Sequence, residues 1–288
     1  MTRNKLIAWG IFLLLTCVWG SSFILMKYSQ RELTAWQVAA LRIFSAGLVF
    51  LPFALFHISK LPRKKILLVI LTGITGNLMP AFLYAIAISR IDSSLASILN
   101  AFTPMFVVVI AIIFFGDQIK IKKIIGVVIG VAGLILLFKT STGISLHNLG
   151  YASLILLATI FYGINVNVVS HYLKDANPMQ VASVSISFMI IPTAFVLWQQ
   201  HFFDLAFDDS EVQLAVIESV LLGVVGTAIA TALFYVMIKK AGGLFASLVT
   251  YSIPIVAMLW GIADNEQVGW LQFISLGIIL TGVYLANK

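Results

Sequence analysis

Gln37-Val38-Ala39-Ala40 recurs 143 residues later as Gln180-Val181-Ala182-Ser183, and the same offset places Trp19-Gly20 on Tyr162-Gly163. The order of further matches along the chain is preserved, and their offset changes only between apolar segments. We therefore predict an internal duplication. At offsets of 149 or 150, the further matches pair Gly73 with Gly223, Gly76 with Gly226, Ala96-Ser97 with Ala246-Ser247, Pro104 with Pro254, Asp117 with Glu266 and Gly133 with Gly282.

The repeated segments lie in long apolar blocks. Apolar residues make up 61% of the 288 residues and charged residues only 10%, and the mean hydropathy is +1.06. A membrane-crossing helix needs about 20 mostly apolar residues, and continuous blocks without alternation exclude a transmembrane β-barrel. We predict ten spans: Leu6–Met26, Thr34–Phe56, Ile66–Ile88, Ser94–Phe115, Ile121–Phe138, Leu149–Ser170, Met179–Trp198, Val212–Ile238, Gly243–Ile262 and Val268–Ala286.

The duplication and the span count together predict the architecture. We expect an all-α integral membrane protein whose ten transmembrane helices form two five-helix repeats, residues 1–140 and residues 141–288. Because five is odd, the second repeat enters the membrane from the opposite side, so the repeats are inverted. Inverted repeats are typical of transporters that expose a midplane site to each side in turn.

The distribution of Lys and Arg predicts the orientation. With the N-terminus inside, the inner segments hold 13 of these residues and the outer loops hold four, namely Lys27, Arg31, Arg90 and Lys139. Positive charge gathers in cytoplasmic loops. We therefore predict a multi-pass protein of the bacterial inner membrane with both termini cytoplasmic. The first span has no A-x-A site after it and is read as a retained helix. The dispersed basic residues favour a lipid bilayer over nucleic acid as the partner.

An ordered set of residues across nearly the whole chain, from about residue 6 to 286, resembles the EamA family of the drug/metabolite transporter superfamily. It begins with Trp19-Gly20-Ser21-Ser22, Lys27 and Arg42 and continues through the paired glycines, Gly116-Asp117 and Glu266. The resemblance implies export of amino acids, other small metabolites and some toxic compounds. Asp117 departs from it, since the family usually has Glu there, and Tyr162-Gly163 stands where a second Trp-Gly would complete the symmetry.

Two matched prolines predict where the transport site lies. Proline removes a backbone donor and clashes with the preceding turn, and paired helix irregularities in two halves indicate a transport site. The alternative is that the prolines are packing kinks and that the polar side chains only join helices. We predict helix breaks at Pro104 and Pro254, and a central substrate-binding cavity lined by Trp19, Ser22, Arg42, Asn77, Tyr84, Asn100, Tyr162, Asn165, Thr250 and Tyr251.

Arg42 is a charge placed inside a predicted span, about 12 Å from the end of its helix. Charges inside spans face a cavity or a partner, so Arg42 either contributes to the site or bonds helix-end carbonyls. Glu218 lies either in its span or at the membrane surface. No Asp or Glu falls near the middle of any predicted span. This weakens the case for proton antiport and leaves facilitated diffusion as an alternative mechanism.

The predicted function is a secondary transporter that exports amino acids or related small metabolites by alternating access. A multidrug or sugar-phosphate-like carrier of the same superfamily is the alternative. An enzyme is disfavoured, because the usual catalytic motifs are missing. We predict neither a cofactor nor a metal. Gly126, Gly130 and Gly133 allow close helix approach, which would serve packing between the halves or a homodimer.

Overall fold

The computed structural model describes residues 3–116, 121–140 and 146–286, and the regular elements within these ranges are all helical. Asp117, one member of the predicted repeat, lies outside the described residues. The α-helices are α1 (Arg3–Ser29), α2 (Ala35–Ile58), α3 (Arg63–Gly73), α4 (Met79–Ile88), α5 (Ser93–Asn100), α6 (Thr103–Phe115), α7 (Ile121–Thr140), α8 (Leu146–Tyr172), α9 (Pro178–Ser187), α10 (Ile190–Gln199), α11 (Ser210–Gly223), α12 (Ala230–Ala241), α13 (Gly243–Ser247), α14 (Val249–Ala263) and α15 (Trp270–Ala286).

Within the described ranges, eight helical segments are long and apolar enough to cross a membrane. The fifth and tenth predicted spans correspond to α7 and α15, whose qualifying apolar stretches, Val128–Leu137 and Trp270–Gly282, are shorter. The protein is therefore an all-helical, multi-pass membrane protein. The eight segments are Leu6–Ser29, Ala35–Ile58, Arg63–Ile88, Ser93–Phe115, Leu149–Tyr172, Pro178–Gln199, Ser210–Ala241 and Gly243–Ala263.

Two of the membrane segments contain a π-helical turn at matching places. The turn Ile74–Leu78 joins α3 to α4, and the turn Val224–Ile229 joins α11 to α12. Each begins immediately after a glycine of the sequence repeat, Gly73 or Gly223. A π-helical turn contains one residue more than an α-helical turn, and such turns are frequent at functional sites. Both segments thus depart from regular helix at the same point of the repeat.

Two other segments are interrupted near the matched prolines, but at different distances from them. The α5–α6 interruption falls at Ala101 and Phe102, so Pro104 is the second residue of α6, where a missing N–H costs little. The α13–α14 interruption falls at Leu248, and Pro254 lies inside α14. The second break therefore differs from the prediction by six residues. A single proline removes only one intrahelical hydrogen bond, which packed neighbours compensate.

Glycines of one half pack on helices of the other half, and these contacts occur in pairs. Gly20 of α1 lies against Val256 of α14, while its repeat partner Gly163 of α8 lies against Phe106 of α6. Phe106 and Val256 are themselves 150 residues apart. A Cβ at either glycine would clash, so the close approach depends on glycine. The same reciprocity relates Gly73–Ser185 to Gly223–Arg42, and Gly76–Asn165 to Gly226–Ser22.

The glycine face of α7 is filled from within the chain. Helices α7 and α15 pack against each other, and Gly282 of α15 lies directly on the backbone of Gly126 and Gly130. Gly133 meets Ile279 in the same contact. Small residues permit this approach, as they do between membrane helices in general. Of the two uses predicted for these glycines, the structure shows packing inside the chain.

Candidate functional site

A cavity of about 90 Å³ lies between the helices of the two halves. A space of this size holds several waters or part of a small ligand. Seven membrane segments supply its walls. The lining residues are Trp19, Ser22, Phe23, Met26, Arg42, Gly76, Asn77, Tyr84, Asn100, Thr103, Tyr162, Asn165, Val166, Gly226, Thr231, Phe234, Tyr235, Ser247, Thr250 and Ile253.

The structure brings nine of the ten predicted binding residues into this lining and leaves out Tyr251. Thr250 faces the cavity from α14. Successive helical residues point about 100° apart, so Tyr251 is turned away and packs, partly buried, against the apolar core. Pro104 and Pro254 do not line the cavity either. Glu218 lies half-buried in α11, outside the lining.

Several lining residues were not predicted, and most of them are related to another lining residue by the repeat offset. Phe234 lies 150 residues after Tyr84, and Val166 lies 143 residues after Phe23. Thr103 and Ile253 form another such pair, and all of these residues line the cavity. Transferring Tyr84 to its repeat partner would have found Phe234, whereas the other two pairs contain no predicted residue. Thr231 and Tyr235 have alanines as partners, Ala81 and Ala85, so the repeat carries no signal for them.

Three asparagines of the lining accept hydrogen bonds from neighbouring hydroxyls. Tyr84 donates to Oδ1 of Asn100 at 2.6 Å, Tyr235 donates to Oδ1 of Asn165 at 3.2 Å, and the Thr231 hydroxyl donates to Oδ1 of Asn77 at 3.1 Å. Each amide oxygen therefore accepts at least one hydrogen bond from the protein. The Nδ2 of Asn77 is buried without a hydrogen-bond partner among the described residues.

Aromatic rings form the apolar part of the wall. The rings of Tyr84 and Tyr162 lie 6.1 Å apart, and Phe23 meets Tyr84 edge to face at 5.7 Å. Trp19 donates from Nε1 to the carbonyl of Gly226 at 3.0 Å, which uses a backbone acceptor of the second π-turn. The cavity thus combines flat apolar surface with a few placed polar groups, as small-molecule sites do.

Arg42 projects from α2 into the cavity lining. Its Nε donates to the hydroxyl of Thr227 at 2.8 Å, and Thr227 in turn donates to the carbonyl of Leu222. The structure therefore shows a side-chain partner on the second π-turn rather than the helix-end carbonyls of the alternative. No Asp or Glu is among the lining residues, so the guanidinium has no counter-ion there.

Beyond the cavity, one end of the helix bundle is closed by an ion-pair cluster, which we call the ion-paired end (Lys27, Tyr28, Ser93, Ser94, Asp264 and Glu266). Lys27 donates to Asp264 at 2.6 Å and to Glu266 at 2.8 Å. Glu266 also accepts from the backbone N–H and hydroxyl of Ser93 and from the backbone N–H of Ser94. It therefore caps the start of α5 with a carboxylate, where the helix dipole favours negative charge.

The two carboxylates of this end are held ionised. Burial acts to raise the pKa of Glu266, but the hydrogen bonds from Lys27, Ser94 and Ser93 outweigh it and lower that pKa. For Asp264, burial also acts upward, and the hydrogen bonds from Lys27 and Tyr28 lower the pKa below its usual value. Hydrogen bonds to the charged form have this effect.

Within the described ranges, no group of three His, Cys, Asp or Glu residues is arranged to hold a metal ion. The residues around the cavity instead suit a small organic molecule, since they pair aromatic surface with amide and guanidinium donors. A multi-pass helical protein with such a cavity among its membrane segments has the architecture that is typical of membrane transporters.

The comparisons with known proteins identify the family. The model of the EamA-like transporter family matches residues 7–139 and 149–288, and the chain belongs to this family. It is 26% identical over 99% of its length to a protein of Escherichia coli strain K12, named an uncharacterized inner membrane transporter, of which 92% is covered.

Two further relatives carry names that mention cargo. A probable amino-acid metabolite efflux pump of Escherichia coli strain K12 is 23% identical, over 95% of this chain and 92% of the pump. An S-adenosylmethionine uptake transporter of Rickettsia felis is 26% identical, over 46% of this chain and 45% of the transporter. These names describe those proteins and differ from each other in direction.

Proposed function

We propose that the protein is a secondary transporter that exports amino acids or related small metabolites by alternating access through the central cavity. The observation that carries the proposal is that matching residues of both halves line the cavity. Trp19 and Tyr162, Ser22 and Asn165, and Asn100 and Thr250 are repeat partners, and all six line the cavity. A binding site shared by two related halves can face either side as the halves rock.

The proposal includes ten membrane spans arranged as inverted repeats, residues 1–140 and 141–288. The reciprocal glycine contacts support a twofold relation between the halves, since in such a relation residue i of one half meets j of the other and the reverse. Gly133–Ile279 and Gly130–Gly282 follow the same rule in α7 and α15. The family model also matches each half separately.

We place the protein in the bacterial inner membrane with both termini cytoplasmic, on the basis of the charge asymmetry. Single cysteines in a Cys17→Ser background test the orientation. A cysteine at position 62 should be protected from an impermeant thiol reagent added to intact cells, and one at position 206 should react. Labelling of position 62 alone would reverse the orientation and assign the ion-paired end to the cytoplasmic side.

The cavity favours facilitated diffusion over proton antiport. A proton carrier in a membrane protein is commonly a buried Asp or Glu, and the twenty lining residues include neither. Flux that responds to the substrate gradient and is insensitive to an imposed pH gradient would support this mechanism. Uphill accumulation driven by the pH gradient would refute it.

Counterflow into proteoliposomes with a panel of amino acids and related metabolites tests the transport proposal. With a transported compound, Asn100→Ala should raise the half-saturation concentration about fivefold, because the loss of one hydrogen bond costs about 1 kcal/mol. Val128→Ala, an exposed position on α7, is the matched control and should leave it unchanged. Absence of saturable flux for every compound on the panel would refute the proposal.

A further inference from the structure

Arg42 gives the cavity a positive charge. Of its twenty lining residues, all within the described part of the chain, Arg42 is the only one that carries a charge at neutral pH. Its guanidinium makes one hydrogen bond to the described residues, through Nε to Thr227. The two terminal nitrogens are left for a ligand. Arg42 is half-buried, and a half-buried cation without a counter-ion attracts an anion, because the protein around it screens the pair less than bulk water does.

The neutral groups of the lining add to the same preference. An asparagine side chain offers one acceptor oxygen and two donor hydrogens. The oxygens of Asn77, Asn100 and Asn165 each already accept a hydrogen bond from a protein hydroxyl, which leaves fewer acceptor sites on these amides than donor hydrogens of their NH₂ groups. The Asn77 Nδ2, buried and unpartnered among the described residues, is such a donor. The cavity therefore offers hydrogen-bond donors to the acceptor atoms of a ligand.

A positively charged ligand group finds no carboxylate among the twenty lining residues. The hydroxyls of Ser22, Ser247 and Thr250 donate to carbonyls three or four residues back, and their remaining lone pairs are neutral acceptors. An ammonium group would lose its water shell for these oxygens and would be repelled by Arg42. Like charges brought together in this way exclude a partner.

We infer that the cavity selects small organic anions, namely carboxylates with an apolar or aromatic body such as 2-oxo acids, over zwitterionic amino acids. The carboxylate pairs with the two terminal nitrogens of Arg42 in the bidentate geometry that guanidinium groups favour. The amide donors take up further oxygens of the ligand. The Tyr84–Tyr162 wall covers its apolar body. This inference rests on the proposed transport function and names the substrate class of the same site.

Binding to the wild-type protein in nanodiscs, measured by isothermal titration calorimetry, tests this selection without any substitution. The probes share one frame: phenylpyruvate, L-phenylalanine, 3-phenylpropionamide and phenethylamine. We expect phenylpyruvate to bind about tenfold or more tightly than the zwitterion and the neutral amide, the ratio expected for charge-assisted hydrogen bonds. Phenethylamine should bind weakest.

Substitutions of Arg42 assign the preference to this residue. Arg42→Gln should remove the advantage of phenylpyruvate over the neutral amide, and Arg42→Lys should restore part of it, because lysine keeps the charge but lacks the planar fork. Arg90→Gln, at an exposed position, is the matched control and should bind like the wild type. Rescue by lysine separates loss of charge from loss of packing.

Two results would overturn the inference. One is phenylpyruvate binding no better than the neutral amide, including no binding by either, and the other is an unchanged preference in a folded Arg42→Gln protein. Saturable counterflow of an amino acid alongside either result would leave the transport proposal standing. Conversely, Arg42-dependent binding of phenylpyruvate without flux of any compound would support the anion site and refute transport.

Discussion

Two ends of the helix bundle are equivalent in the sequence repeat, but their described residues are held together by different contacts. At the ion-paired end, Tyr28 donates to Asp264 at 2.7 Å beside the Lys27 ion pairs. The repeat offsets place His171 at the position of Tyr28 and Phe115 at that of Asp264. These two rings stack with centroids 4.2 Å apart. We call this second region the aromatic end (Phe115, Ser170, His171, Tyr172 and Gly243).

The neighbouring contacts differ in the same way. Ser93 carries a hydroxyl that donates to Glu266, whereas its partner Gly243 has no side chain and packs directly on Ser170, the partner of Lys27. Asp117, the partner of Glu266, lies outside the described residues. Among the described residues, the ion-paired end is thus stabilised by charge, and the aromatic end by close packing and stacked rings. Under alternating access, pH should act on the two ends to different degrees.

Removal of the Glu266 carboxylate should cause the largest loss of stability. The Glu266 side chain is only 2% exposed and Lys27 about a third exposed, so Glu266→Gln leaves a partly buried lysine with one partner fewer. Breaking a fully buried pair costs about 3–5 kcal/mol. Because water screens Lys27, we expect about 2 kcal/mol, measured as a lower melting temperature in detergent. Glu211→Gln, at an exposed position, is the control, and an equal loss in both proteins would contradict this account.

Loss of the stack between Phe115 and His171 should lower the stability less than loss of the Glu266 carboxylate. Phe115 stacks on His171 and also contacts Tyr172 at 5.6 Å, and such aromatic pairs contribute about 0.5–1.5 kcal/mol. We expect Phe115→Ala to lower the stability by about 1 kcal/mol more than Phe114→Ala, the control at the neighbouring exposed position. Equal melting temperatures for the two variants would show that the stack does not stabilise the aromatic end.

Acidification should weaken the ion-paired end. Since the folded-state pKa values of Asp264 and Glu266 are lowered, their stabilisation is complete above the ordinary carboxyl pKa of about 4 and is lost as the pH falls below it. The melting temperature of the wild type should therefore drop more below pH 4 than that of Glu266→Gln. Phe115→Ala should keep the wild-type pH dependence. Parallel pH curves for wild type and Glu266→Gln would remove Glu266 as a source of the dependence.

The smallest loss of stability is expected when the Tyr28 hydroxyl is removed from the ion-paired end. Tyr28→Phe removes one hydrogen bond to Asp264, and a bond to a charged group at a partly exposed site contributes roughly 1 kcal/mol or less. Tyr172→Phe at the aromatic end keeps the ring contact with Phe115 and should have no effect. Differential scanning fluorimetry of both proteins measures the difference, and an equal change would mean that the Tyr28 hydroxyl does not distinguish the ends.

Much of the cavity could be predicted because the signals are local. Trp19, Arg42 and Asn100 are polar or amphipathic residues inside apolar segments, and such residues in a membrane face one another or a cavity. Tyr251 failed to line the cavity because adjacent residues of one helix point in different directions, and the sequence does not reveal which of two neighbouring polar residues faces inward. Tyr235 and Thr231 carry no repeat signal, so only their packing placed them.

The apolar blocks, the matched glycines and the order of the repeat determined from the sequence alone that the chain is helical, lies in a membrane and belongs among transporters. These properties follow from hydrophobicity and spacing along the chain, which are readable residue by residue. The tertiary structure alone decided that Lys27 meets Glu266, 239 residues away, that Arg42 bonds Thr227, and that the second break falls at Leu248. Contacts over such separations depend on how helices cross and rotate, and that geometry is set only when all the segments pack together.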